Sequence, residues 1–216
     1  MPSPTPTREL PMFPLGSVLF PGMPLPLRVF EPRYVEMLST VLRQSPSEFG
    51  VVLIERGSEV GGGDVRFPLG TVATIETVQI GEDSIQLVAR GGARVEVVEW
   101  LAEDPYPRAQ LRELAPLTTE TVDPAALADA EHVVRETLTQ VIEFAEPRWP
   151  PDIELAEDPD IRLWQLAGIA PIGPLDQQAL LGSTTAAAML ARLVEETRAA
   201  GDTLVQGWTD PDDGLG

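Results

Sequence analysis

From Leu10 to Leu27, eighteen consecutive residues carry no charge, a length that on hydropathy alone would span a bilayer or form the core of a secretory leader. Pro11, Pro14, Pro21, Pro24 and Pro26 fall inside this run. Each removes a backbone donor, and a spanning helix broken so often would leave carbonyls unpaired in hydrocarbon. The run is therefore expected to be extended and buried in protein, as two short strands around a bend at Phe20-Pro21-Gly22. After Phe30 the apolar period changes. Pro32 suits the first turn of a helix, acidic Glu31 stands just ahead of it, and Tyr34, Met37, Leu38, Val41 and Leu42 follow at helical spacing.

Through about Leu117 the rest of the first half reads as strands. Ile85, Leu87 and Ala89 alternate with polar or smaller positions, and so do Val95 and Val97, so each strand buries one face. Gly91-Gly92 lies between these two runs and is expected to form either a tight turn or a bulge that bends one long strand. Gly61-Gly62-Gly63-Asp64 reads as a hairpin loop. Several short strands with one early helix suit a small closed or nearly closed barrel. From Asp123 the pattern turns helical. Asp123 is the expected N-cap, Pro124 the first helical residue, and Leu127, Ala130, Val134, Leu138, Val141 and Ala145 one stripe, with the end near Glu146. Shorter helices are expected over Ile161–Ala167 and Leu175–Leu181, and a longer one over Thr184–Ala199 that buries Met189, Leu190, Leu193 and Val194.

Composition narrows the chemistry. The 216 residues include 15 basic and 34 acidic ones for a formal charge of −19, and all the basic residues are arginine. Without lysine the sequence holds neither a Walker-type phosphate loop nor a serine–lysine dyad. Without cysteine it holds no disulfide, thiolate metal site or cysteine nucleophile. No catalytic, cofactor-binding or metal-binding residues are expected, and a cytoplasmic setting is the expectation.

The stretch FPLGSVLFPGMPLPLRVFEPRYVEML resembles the opening signature of the Lon substrate-binding domain, the amino-terminal domain of Lon-type proteases. Further similar segments follow in order: FGVVLIERG from Phe49, PLGTVATI from Pro68, IQLVARGGARVEVVEW from Ile85, YPRAQL from Tyr106, and a helical part from Leu163 onward. The resemblance covers Glu9 to Thr203. It implies an α+β fold: an N-terminal PUA-like β pseudobarrel with one helix over residues 9–118, then a C-terminal helical bundle subdomain over 119–203. A head, 1–8, and an acidic tail, 204–216, are expected to be disordered. The implied function is that of a stand-alone LON-domain protein without ATPase or peptidase modules, a non-catalytic protein-binding module for exposed apolar or unfolded polypeptide. It would act as an adaptor for a separate protease or chaperone, or independently of proteolysis. PUA-like barrels also bind RNA, but a charge of −19 repels phosphate, and Arg90, Arg94, Arg108 and Arg112 are interleaved with acidic residues. The partner expected is thus polypeptide, with no nucleic acid and no membrane. A peptidase remnant is the third reading, and the missing lysine argues against it.

The residues carried over by the family motif are Phe13, Pro14, Leu15, Phe20, Pro21, Gly22, Phe30, Glu31, Arg33, Tyr34, Gly91 and Tyr106. Most are expected to be structural: Phe30 and Tyr34 anchor the helix in the barrel core, Arg33 pairs with a carboxylate or caps carbonyls, and Glu31 favours the helix start. Leu19, Met23 and Leu25 are the candidate lining of a peptide groove beside the bend. His132, the single histidine, stands among Glu131, Arg135 and Glu136 and reads as solvated. The acidic run Asp152, Glu154, Glu157, Asp158 and Asp160 lacks the glycine-centred spacing of a calcium loop and reads as a linker.

Overall fold

A computed structural model describes residues 6–57, 65–117, 122–143 and 148–209. The chain divides into two compact units, Met1–Pro116 and Leu117–Gly216. Among its described residues the first holds six strands and one helix: β1 (Thr7–Leu15), β2 (Pro24–Val29), α1 (Pro32–Val41), β3 (Glu48–Arg56), β4 (Val65–Ile80), β5 (Ile85–Trp100) and β6 (Arg108–Glu113).

The strands lie in the order β2-β5-β4-β3-β1-β6, and β6 pairs back onto β5, so that all but β2 close into a ring. Among the described strands only β1 and β3 run parallel, from Met12↔Gly50 to Leu15↔Leu53. The other half of β1 runs antiparallel to β6, from Thr7↔Arg112 to Pro11↔Arg108. Each half of β1 thus has one partnered side, a setting in which a strand tolerates Pro11 and Pro14. The pairing with β6 also draws Thr7 and Arg8 into the barrel, so β1 starts inside the head expected to be structureless over 1–8.

Gly91-Gly92 is a bulge within one long strand. The β4–β5 register slips between Thr71↔Arg94 and Ala73↔Gly91. Before the slip β5 pairs with β2, over Ile85–Arg90, and after it with β6, over Val95–Trp100. The extra residue bends the strand and lets it change partners. Inside the ring, Leu10, Met12, Val52, Val72, Val95, Val97, Ala109 and Leu111 form one buried cluster, and Trp100 packs against it.

In the second unit, α2 (Pro124–Ile142) packs on α3 (Pro159–Ile169) and α5 (Ala186–Thr209), and α4 (Pro174–Leu181) packs on α3 and α5. Asp123 and Asp158 cap α2 and α3 by accepting backbone N–H bonds from Ala125 and from Asp160 and Ile161, and proline follows each of them at the first helical position. Leu127, Ala130, Val133, Val134, Thr137 and Leu138 form the buried stripe of α2. Two ends differ from the sequence reading. Helix α2 stops at Ile142, because Glu143 turns its N–H back to Gln140 and Val141 and closes the last turn. Helix α5 continues to Thr209, past Ala199 and into the expected tail. Gly201 would ordinarily favour a helix end. Here its bare face lies against Thr137 and Gln140 of α2, 3.3 Å from the Gln140 Oε1 at its Cβ position, and the helix runs through. The Gly61–Asp64 loop, Ala145 and residues 210–216 lie outside the described residues.

Candidate functional site

The junction between β2 and α1 is built from the FEPRY sequence, Phe30 to Tyr34. Glu31 is the N-cap of α1, with extended backbone (φ −70°, ψ 131°), and its side chain does not cap the helix. Its carbonyl accepts from the N–H groups of Tyr34 and Val35, while its carboxylate takes the Arg33 Nε at 3.1 Å. Tyr34 is 2% exposed and its ring stacks on Phe13, with 4.1 Å between centroids and 12° between planes. Phe13 in turn tilts against Phe49 at 6.1 Å. Tyr34 therefore anchors the helix in the core.

Phe30 does not, and at 59% exposure it stands in solvent. The reason is the helix boundary. Pro32 starts α1, so Phe30, four residues before Tyr34, lies on extended chain and outside the helical stripe. Leu42, the C-cap beyond Val41, keeps helical backbone (φ −67°, ψ −11°) yet is 39% exposed.

Around Arg33 the structure assembles a group that spacing did not reveal. The guanidinium of Arg33 lies over the Tyr34 ring at 4.6 Å and donates from Nη1 to Glu103 at 2.9 Å. The other oxygen of Glu103 accepts from Arg66 Nη2 at 3.3 Å, and Arg66 lies over the Trp100 ring at 4.7 Å. One carboxylate from the segment between β5 and β6 thus ties α1 to the start of β4. The signal lay in strand pairing: the antiparallel register at Leu69↔Glu96, continued outward, brings Arg66 toward Trp100. That pairing is invisible until both strands and the bulge are known. Elsewhere in the barrel, burial pushes the Arg94 guanidinium below its ordinary pKa, and its Nη2 donates to the Ala115 carbonyl.

The expected peptide groove is filled. Leu19, Met23 and Leu25 are 4%, 6% and 4% exposed. The chain from Leu19 to Met23 folds back onto the barrel: Thr71 Oγ1 donates to the Leu19 carbonyl at 2.6 Å, Gly22 N–H to the Gly91 carbonyl, and Gly91 N–H to the Met23 carbonyl. Gly22 sits at φ 75° in the turn, a conformation natural to glycine. Phe13, Pro14, Leu15, Phe20 and Tyr106 are buried, Pro21 half-buried. His132 is exposed on α2, 3.8 Å from Glu136. Of the acidic run, Asp158 caps α3, and no group of potential metal ligands occurs among the described residues.

Nucleophile, base and oxyanion donors do not converge at the FEPRY junction. What it presents is an exposed aromatic, Phe30, beside the buried and stacked Tyr34. Residues 9–198 match the ATP-dependent protease La (LON) substrate-binding domain. The chain belongs to this family. Lon protease 2 of Herpetosiphon aurantiacus is 32% identical over 142 residues, covering 62% of this chain and 17% of that protein. Lon protease 2 of Myxococcus xanthus is 36% identical over 135 residues, covering 60% and 16%. This chain thus spans a small part of these relatives, and the LON family it matches is a substrate-binding domain, not a catalytic one. A crystal structure of a Lon N-terminal domain protein from Xanthomonas campestris superposes with a TM-score of 0.62 at 26% identity, covering 87% of this chain and 98% of that one. The N-terminal domain of a Mycobacterium avium complex Lon protease shares the fold at 16% identity and the same TM-score of 0.62. No helix among the described residues of this LON chain is long and apolar enough to cross a membrane.

Proposed function

We propose that this chain is a non-catalytic recognition module for exposed apolar or unfolded polypeptide, and that it serves a separate ATP-dependent protease as an adaptor. The observation that carries the reading is the match of residues 9–198 to a substrate-binding domain. Two features of the barrel support it. Phe30 and Val35 leave apolar surface in solvent at the β2–α1 junction, at 59% and 37% exposure, while the neighbouring Tyr34 is locked in place. The barrel arginines Arg8, Arg90, Arg108 and Arg112 each pair with a glutamate, at 2.6, 2.5, 3.1 and 2.5 Å, so these four offer little free positive charge to a polyanion such as RNA.

The test is retention of denatured polypeptide on the immobilised full chain, compared with an unrelated barrel protein of similar charge. Retention above that control, reduced by Phe30→Ser, is the expected result. Retention equal to the control overturns the reading. Co-purification of a protease subunit with the tagged chain from its native cell tests the adaptor role separately.

A further inference from the structure

Next to the closed ring, β2, β5 and β4 continue as a three-stranded sheet with two open edges. Among the described residues β2 pairs only with β5, and β4 pairs with β3 no further than Thr74↔Glu48, after which its ladder partner is β5 alone. Ile75 still donates to the Ser47 carbonyl, and beyond it the edge has no further strand partner among the described residues.

The two edges differ chemically, and hydrogen-bond parity shows how. Gly81 N–H donates to the Ser84 carbonyl at 2.9 Å. Counting back in steps of two, the doubly bonded pairs of the β4–β5 ladder are Gln79↔Gln86 and Thr77↔Val88. Residues Ile85, Leu87 and Ala89 then face β2, in agreement with the Gly91 N–H bond to Met23. On β2 their partners Val29, Leu27 and Leu25 point inward, so the outward N–H positions are 24, 26 and 28. Two of these are Pro24 and Pro26, which have no N–H, and the β2 edge is blocked against strand addition. On β4 the outward positions are Val78 and Ile80, whose backbone donors and acceptors have no strand partner among the described residues.

Side chains extend the contrast. Ile80, 80% exposed, and Val78 lie on the same face as the cross-strand partners Ile85 and Leu87. Thr77 and Gln79 lie on the opposite face, beside their partners Val88 and Gln86. A strand laid along this edge finds an apolar row on one side and a polar row on the other. The hairpin tip adds exposed Glu82 and Asp83, and Glu76 at the other end is already neutralised by Arg90. A chain at −19 attracts a basic segment and repels a second copy of itself.

We propose that the free edge of β4, Glu76–Ile80, is a strand-addition site for an extended polypeptide segment that alternates apolar and basic side chains. The proposal rests on the polypeptide-recognition reading and names the backbone that makes the recognition. Main-chain hydrogen bonds to Val78 and Ile80 supply affinity, and the alternation supplies preference.

Amide hydrogen exchange on the full chain, followed by NMR with and without a short peptide of alternating valine and lysine, tests it. The amides of Val78 and Ile80 are expected to exchange fast in the free chain and to slow by about tenfold or more with peptide bound. Those of Thr77 and Gln79, already bonded to β5, change less. The same peptide N-methylated along one edge, or with glutamate in place of lysine, is expected to bind at least about tenfold more weakly. Val78→Pro removes an outward donor without touching the β5 ladder and is expected to abolish the effect. The N-methylated peptide keeps the test decisive if that variant fails to fold. Peptide binding without protection at Val78 and Ile80 overturns the edge proposal and leaves polypeptide recognition standing, as does retention of denatured polypeptide without peptide binding. Loss of both overturns both. Protection of the same amides in a dimer without peptide would make the occupant a second copy, against the proposal.

Discussion

The carbonyl oxygen of Phe20 lies 2.1 Å from the place a Cβ on Gly91 would occupy. The Phe20-Pro21-Gly22 turn rests directly on the bare backbone of β5, and the bonds between Gly22, Met23 and Gly91 hold it there. The contact is backbone against backbone, so no side chain can swing aside. Gly91→Ala is therefore expected to destabilise the chain by about 2–3 kcal/mol through overpacking. At Gly92 the nearest atom to an added methyl would be the Val72 carbonyl oxygen at 3.5 Å, an ordinary contact. Gly92→Ala is expected to cost less than about 1 kcal/mol. Urea unfolding of both variants checks the pair, and equal costs would contradict this account of the bend.

The two aromatics of FEPRY are expected to separate in the same measurement. Tyr34 is stacked on Phe13 and 2% exposed, so Tyr34→Ala should cost about 3–5 kcal/mol. Phe30 is 59% exposed, and Phe30→Ser should stay within about 0.5 kcal/mol. Phe30→Ser then serves as a folded variant for binding assays. A large stability loss at Phe30 would place it in the core after all.

What the sequence made legible follows the reach of its signals. The prolines between Leu10 and Leu27 turned a span-length apolar run into strands and a bend, because a missing N–H is a local fact. Asp123-Pro124 marked the start of α2 for the same reason. The family motif implies a core place for both aromatics of FEPRY, but Phe30 precedes the extended N-cap Glu31, off the helix, and only Tyr34 reaches the core. Leu19, Met23 and Leu25 have the apolar character of groove lining, and it takes Thr71 and Gly91, distant in sequence, to fasten their segment onto the barrel. The Glu103 bridge and the free edge of β4 depend on strand pairing across the bulge, which no window along the chain contains.

Glu103 joins Arg33 and Arg66, whose side chains are 17% and 11% exposed against 36% for Glu103 itself. With solvent reaching the carboxylate, the bridge is screened and its worth is small. Glu103→Gln is expected to cost about 0.5–1 kcal/mol at low ionic strength. The cost should shrink toward zero near ~1 M salt, where the screening length falls to about 3 Å. A loss that is large and independent of salt would mean that Glu103 acts through packing instead of charge.

The helix starts offer an internal comparison of capping. Asp123 and Asp158 accept backbone N–H bonds from the first turns of α2 and α3, at 3.0 Å from Ala125, and at 2.9 and 3.2 Å from Asp160 and Ile161. Glu31 occupies the same position on α1 but spends its carboxylate on Arg33. Asp123→Ala and Asp158→Ala are each expected to cost about 1 kcal/mol, the usual worth of an N-cap. Glu31→Ala loses only a partly exposed ion pair and should cost less than about 1 kcal/mol, with a salt dependence that the aspartate variants lack. Thermal unfolding at low and high salt distinguishes the two kinds of loss: a salt-insensitive drop at Glu31 would show that its carboxylate caps the helix in solution.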